Sequence, residues 1–273
     1  MAEFRLNRIR EGSGAPPIVF VHGFLCRHQD WRHQVSYFAK SHTVVACDLR
    51  GHGETPRGDG PMTVETLGGD VAAMLREESL QGAVLVGHSM GCRIVMEALL
   101  QAAGRVAALV LVDGSRVGVD RAAGQKAFEA TVEENGYANV VRGLFEDMFF
   151  DDPPDWKDET LEMVLAIPEG TGRPLFGDLV GWDAERLEDT LARLRVPVLV
   201  IQSTTMGVDR NRRGLAEGEV GPFQELILRH VPGAESVTLP GPGHFCMTEA
   251  PDPVNRRIER FIAGRLTAKS DQD

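Results

Sequence analysis

The sequence predicts an α/β fold: a mostly parallel, doubly wound sheet with a helical cap inserted between two of its strands. Three observations predict it. Short, continuously apolar runs alternate with helical patterns, as strands covered on both faces require. The stretch 117–195 breaks that rhythm with amphipathic helical segments and no strong strand pattern. One apolar run, Ala83-Val84-Leu85-Val86, passes through Gly87-His88-Ser89-Met90-Gly91 directly into the helical pattern Arg93 to Leu100.

The elements follow in order. Pro17 to Val21 reads as a strand ending at His22-Gly23, and Thr43 to Asp48 as the next. Between them Trp31 to Lys40 can form a helix. Thr63 to Glu77 reads as a helix with Thr63 as its cap and Glu65 in its first turn. Val106 to Asp113 is a buried strand, Val196 to Gln202 another, and Ser236 to Leu239 the last. A closing helix is expected from about Pro253 to Arg265. Within the insertion, Gln125 to Glu134 and Ala184 to Leu194 read as helices. The expected division is a core of 1–116 and 196–273 with a cap of 117–195.

A chain of 273 residues can bury a large single core. Its 42% hydrophobic and 25% charged residues are ordinary for a soluble globular protein. The net charge of −11 argues against nucleic acid or an anionic membrane as partner, since both need a basic footprint. The charge reads instead as a solvated acidic surface that keeps the protein soluble, and the expected partner is a small-molecule substrate. The first residues carry no apolar signal region and no run approaches a membrane span, so a cytoplasmic location is expected. Cys26, Cys47, Cys92 and Cys246 lack paired metal spacing. They are expected to be small buried hydrophobes, with a disulfide as the alternative.

Ser89 is the candidate nucleophile. A serine is a weak nucleophile in water, but a tight strand-to-helix turn would hold its hydroxyl exposed beside a helix N-terminus, and the flanking glycines leave room for that turn. The alternative is an ordinary turn of a doubly wound sheet. His22-Gly23-Phe24 closes an earlier strand, Asp48-Leu49-Arg50-Gly51-His52-Gly53 closes the following one, and Gly243-His244-Phe245 follows the last strand, with Glu249-Ala250-Pro251 behind it. This set, in this order, resembles the α/β-hydrolase fold family over about Ile18 to Ile262.

The resemblance implies roles. His244 would be the general base and later the general acid. The backbone N–H groups of Phe24 and Met90 would form the oxyanion hole. His22 would organise the loop that shapes that hole, and His52 and His88 would shape turns. No metal or organic cofactor is implied. Relatives usually carry the acid in a Gly-x-x-Asp turn after the strand that here is Val196 to Gln202. This chain reads Ser203-Thr204-Thr205-Met206 there, and the next carboxylate is Asp209. Asp113, after the preceding strand, is the candidate taken for the acid, with Asp209 the alternative. Both keep the order Ser, Asp, His.

Two further features stay open. Arg210, Arg212 and Arg213 could bind a carboxylate-bearing substrate, although a solvated loop is the expected reading. Met148-Phe149-Phe150 and Trp182 could line an acyl pocket or only seal the cap onto the core. The resemblance implies a serine hydrolase acting on a carboxylic ester or lactone through an acyl-enzyme. The same fold can serve carbon–carbon bond hydrolysis, amide hydrolysis, lyase chemistry, cofactor-free oxygenation, or a ligand receptor with little turnover.

Overall fold

The computed structural model describes residues 4–150, 153–206 and 211–266. In chain order its elements are β1 (Arg8–Glu11), β2 (Ile18–Val21), α1 (Arg32–Phe38), β3 (Val44–Cys47), α2 (Val64–Glu77), β4 (Ala83–His88), α3 (Gly91–Gln101) and β5 (Val106–Val112). Five helices follow with no strand among the described residues: α4 (Arg121–Asn135), α5 (Tyr137–Glu146), α6 (Lys157–Leu165), α7 (Glu169–Glu185) and α8 (Leu187–Arg193). The chain then returns through β6 (Val198–Gln202), β7 (Thr204–Met206), β8 (Arg212–Gly214), α9 (Pro222–His230), β9 (Glu235–Thr238), α10 (Cys246–Glu249) and α11 (Pro251–Leu266).

The main sheet has the order β1-β3-β2-β4-β5-β6-β9, parallel throughout except for the antiparallel edge β1. Every residue of β2, β3, β4 and β6 is buried, which is why these runs are continuously apolar rather than alternating. α2 is capped as expected, the Thr66 N–H donating to Thr63 Oγ1 at 3.1 Å. All four cysteines are free and buried. No described helix is long and apolar enough to cross a membrane.

The topology positions the site. After β3 the chain crosses to the other side of β2 to form β4, so the strand order reverses between β2 and β4. Their register pairs Val21 with Gly87. The loops leaving their C-terminal ends therefore diverge around one crevice, where ligands of open α/β sheets bind.

The structure departs from the sequence reading at several elements. β1 was not expected, because Arg8-Ile9-Arg10-Glu11 has no apolar run; it is an edge strand held by Arg8 and Arg10 on Glu78. The hairpin of β7 and β8 was not expected either. The expected helix Ala184 to Leu194 is two helices, broken at Arg186, whose φ of −124° leaves the helical region while its guanidinium reaches Glu65 and Glu97. The first of these, α7, runs through glycines and Pro174 and was not read as helical, yet it buries Thr171, Leu175, Leu179 and Trp182.

Candidate active site

The turn after β4 is tight for a steric reason. A Cβ on Gly87 would lie 2.3 Å from the Gly91 carbonyl oxygen, and one on Gly91 would lie 2.5 Å from that of Val21. Only glycine permits both approaches. Ser89 takes φ of +55°, a left-handed conformation uncommon for a side-chain-bearing residue. Its N–H donates to Val112 O at 2.9 Å, which ties the turn to the end of β5. The loop after β2 packs onto this turn, since a Cβ on Gly23 would sit 3.2 Å from Ser89 Cβ.

Two histidines fix that loop. His22 donates from Nδ1 to Gly23 O at 2.8 Å and accepts at Nε2 from the Leu49 N–H at 2.9 Å. His52 donates from Nδ1 to Arg50 O at 2.8 Å and accepts at Nε2 from the Leu25 N–H at 3.2 Å, where Leu25 holds φ of +55°. Each ring must be neutral to accept at Nε2. Burial holds His22 at about 3 and His52 at about 4, so both stay neutral. Among the described residues, no hydrogen bond engages the backbone N–H of Phe24 or Met90.

Asp113 and His244 meet at the far side of the crevice. Asp113 sits just past β5 with φ of +45°. Its Oδ2 lies 2.7 Å from His244 Nδ1 and accepts from Thr204 Oγ1 at 2.5 Å. Its Oδ1 accepts the N–H groups of Ser203 and Thr204 at 2.7 and 2.8 Å. Burial alone would raise this carboxyl, but the bonds from His244 and Thr204 and the charges of His244 and Arg212 hold it below the usual carboxylate range. His244 is lowered by burial first and by the Arg212 cation second, against the pull of Asp113. Its Nε2 is buried with no hydrogen-bond partner among the described residues. The loop carrying it is fixed by Gly243 N–H to Glu249 Oε2 at 2.7 Å, by Ser203 Oγ to Gly243 O at 2.9 Å, and by His88 Nε2 to His244 O at 2.9 Å.

A cavity of about 140 Å³ opens over the turn. Phe24, Ser89 and Met90 line it from the core, and Met148, Phe176 and Leu179 from the segment between β5 and β6. The large apolar residues of the insertion divide their roles. Met148 lines the cavity, whereas Phe149 stacks on Phe245 with centroids 5.4 Å apart, and Trp182 is fully buried with Nε1 donating to Glu97 at 2.9 Å.

Ser89, Phe24 and Met90 line one cavity, and the Asp113–His244 pair is joined to it through Arg212, which borders the cavity, and through His88, which precedes Ser89. Asp209 and Arg210 lie outside the described residues. Arg212 corrects the solvated-loop reading: its side chain is 4% exposed and borders the cavity. Arg213 does face solvent, paired with Glu219.

One structural group has no signal in the sequence motifs. Arg93, on the first turn of α3, binds both oxygens of Asp183 at 2.8 and 2.7 Å. It also donates to Ser89 O at 3.1 Å and to the Ser115 carbonyl. Asp183 in turn accepts the Val117 N–H at 2.6 Å. This pair, 1% and 0% exposed, clamps the turn, the loop after β5 and α7 together. Replacing Asp183 with Ala leaves a buried guanidinium uncompensated. It is expected to cost about 3–5 kcal/mol of stability in urea unfolding; a loss below about 1 kcal/mol would show that the clamp carries no weight.

The profile of the Alpha/beta hydrolase family matches residues 18–257. The chain belongs to the alpha/beta hydrolase family. It is an enzyme of that hydrolase type. The dihydrolipoyllysine-residue acetyltransferase component of the acetoin cleaving system of Cupriavidus necator is 28% identical over 271 residues, 95% of this chain and 67% of that protein. The chain spans about two-thirds of the length of that relative and of its Pseudomonas putida counterpart. Among solved structures, a hydrolase from Oleispira antarctica superposes with a TM-score of 0.79 at 17% identity, covering 95% of each chain. Est816, described as an N-acyl homoserine lactone degrading enzyme, gives 0.73 at 24% identity, covering 94% of this chain and 96% of that one.

Proposed function

We propose that this alpha/beta hydrolase cleaves a small carboxylic ester or lactone through an acyl-enzyme on Ser89. The observation that carries the reading is the Asp113–His244 pair at 2.7 Å with the opposite ring nitrogen, Nε2, left unbonded among the described residues. Asp113 fixes the tautomer with the proton on Nδ1, so Nε2 is the free base. His244 takes the Ser89 proton as the hydroxyl attacks the carbonyl carbon. The N–H groups of Phe24 and Met90, uncommitted to other bonds among the described residues, receive the developing oxyanion. His244 then returns the proton to the leaving alcohol. Water, activated by the same nitrogen, releases the acid and restores Ser89.

The cavity volume sets the substrate size. A cavity near 150 Å³ accepts a benzene-sized guest of about six heavy atoms, so the 140 Å³ here suits a short acyl group. A p-nitrophenyl ester panel from acetate to decanoate tests this. The expected result is hydrolysis that peaks at about four to six acyl carbons and falls at least tenfold by decanoate. Absence of hydrolysis across the panel would contradict the ester reading, and a decanoate optimum would contradict the size argument.

A further inference from the structure

Arg212 is not accounted for by the proposed ester chemistry. Its side chain is 4% exposed and borders the same cavity as Ser89. Nη1 donates to Thr204 Oγ1 at 2.7 Å, and the nearest carboxylate oxygen, Asp113 Oδ2, is 3.7 Å away. Asp113 cannot absorb more of this cation's donors: Ser203, Thr204 and His244 already supply four hydrogen bonds to its two oxygens. Asp147 is turned to the backbone, accepting the Arg212 N–H at 2.9 Å. Nε and Nη2 have no hydrogen-bond partner among the described residues. Arg93, the other guanidinium at the cavity, differs in this respect, since Asp183 binds it through both oxygens.

A buried guanidinium with open donors is costly unless something charged completes it. The fork of Nε and Nη2 fits a carboxylate through two parallel bonds. We propose that Arg212 is the specificity residue of this site and that the substrate is a small ester carrying a second, free carboxylate. The proposal rests on the ester reading of Ser89. The carboxylate can belong to the acyl part, as in a dicarboxylic monoester, or to the alcohol part, as in an acylated hydroxy acid. The two share the chemistry that Arg212 recognises.

The test compares kcat/KM within pairs of equal length: monomethyl glutarate against methyl pentanoate, and 3-acetoxypropanoate against propyl acetate. Wild type is expected to prefer the anionic member of one pair at least tenfold, and which pair it is identifies the part that carries the charge. Arg212→Gln is expected to bring that preference to about one, and Arg212→Lys to keep part of it. Because the readout is a ratio within one protein, loss of overall activity in a variant does not imitate the result. A ratio of one or less in wild type for both pairs would overturn the carboxylate proposal while leaving Ser89 chemistry intact. A preference that survives Arg212→Gln would overturn the role of Arg212. If no ester is turned over, glutarate binding by calorimetry decides separately: binding to wild type lost in Arg212→Gln supports the anion site, and no binding overturns it.

Discussion

Ser89→Ala is expected to lower kcat for short esters by about 10⁵–10⁶-fold, with the protein folded and KM little changed. The substitution removes the hydroxyl and nothing else. The turn keeps its glycine approaches at Gly87 and Gly91, and the Ser89 N–H bond to Val112 involves only backbone. Alanine meets the same strain at φ of +55° as serine does. The residual rate would come from the Phe24 and Met90 donors and from substrate positioning. A loss below tenfold, with the thermal transition unchanged, would remove Ser89 from the chemistry.

Asp113→Asn is expected to lower kcat by about 10⁴-fold while leaving the fold nearly as stable. The amide oxygen can still accept the N–H groups of Ser203 and Thr204, which bond to Oδ1 at 2.7 and 2.8 Å. The amide NH₂ then occupies the place of Oδ2, facing Thr204 Oγ1 and His244 Nδ1. A donor there requires His244 Nδ1 to accept, which moves the ring proton to Nε2. The nitrogen that should take the Ser89 proton is then already protonated. A loss below tenfold in Asp113→Asn, with a large loss in Asp209→Asn, would move the acid to the loop after β6.

The parts of this molecule that a sequence displays are those with local causes. β2, β4, β5 and β6 are buried on both faces, so each appears as an uninterrupted apolar run. The turn at Ser89 is legible because Gly87 is demanded by sterics within five residues, at the Gly91 carbonyl, although Gly91 itself is demanded by the close approach of Val21. What escapes a sequence is set by partners far along the chain. The clasp on Asp113 comes from Ser203 and Thr204, about 90 residues on, in the loop where the family pattern would place its aspartate. Here that loop supplies donors to the carboxylate after β5. The Arg93–Asp183 pair spans the same kind of distance, and neither residue belongs to a motif. In the sequence Arg212 is one of several loop arginines, and nothing local distinguishes it, turned inward, from Arg213, turned to solvent. β1 and β8 are short, polar and only partly buried, stabilised by pairing, and β7 is buried but only three residues long, so no periodicity marks any of them.

The most direct test of the central claim is intact mass spectrometry, after rapid acid quench, of the enzyme turning over a slow short-chain ester. The account predicts a wild-type species heavier by one acyl group, mapped by peptide analysis to Ser89 and absent from Ser89→Ala. Turnover with no acyl adduct in wild type, or an adduct that persists in Ser89→Ala, would contradict it.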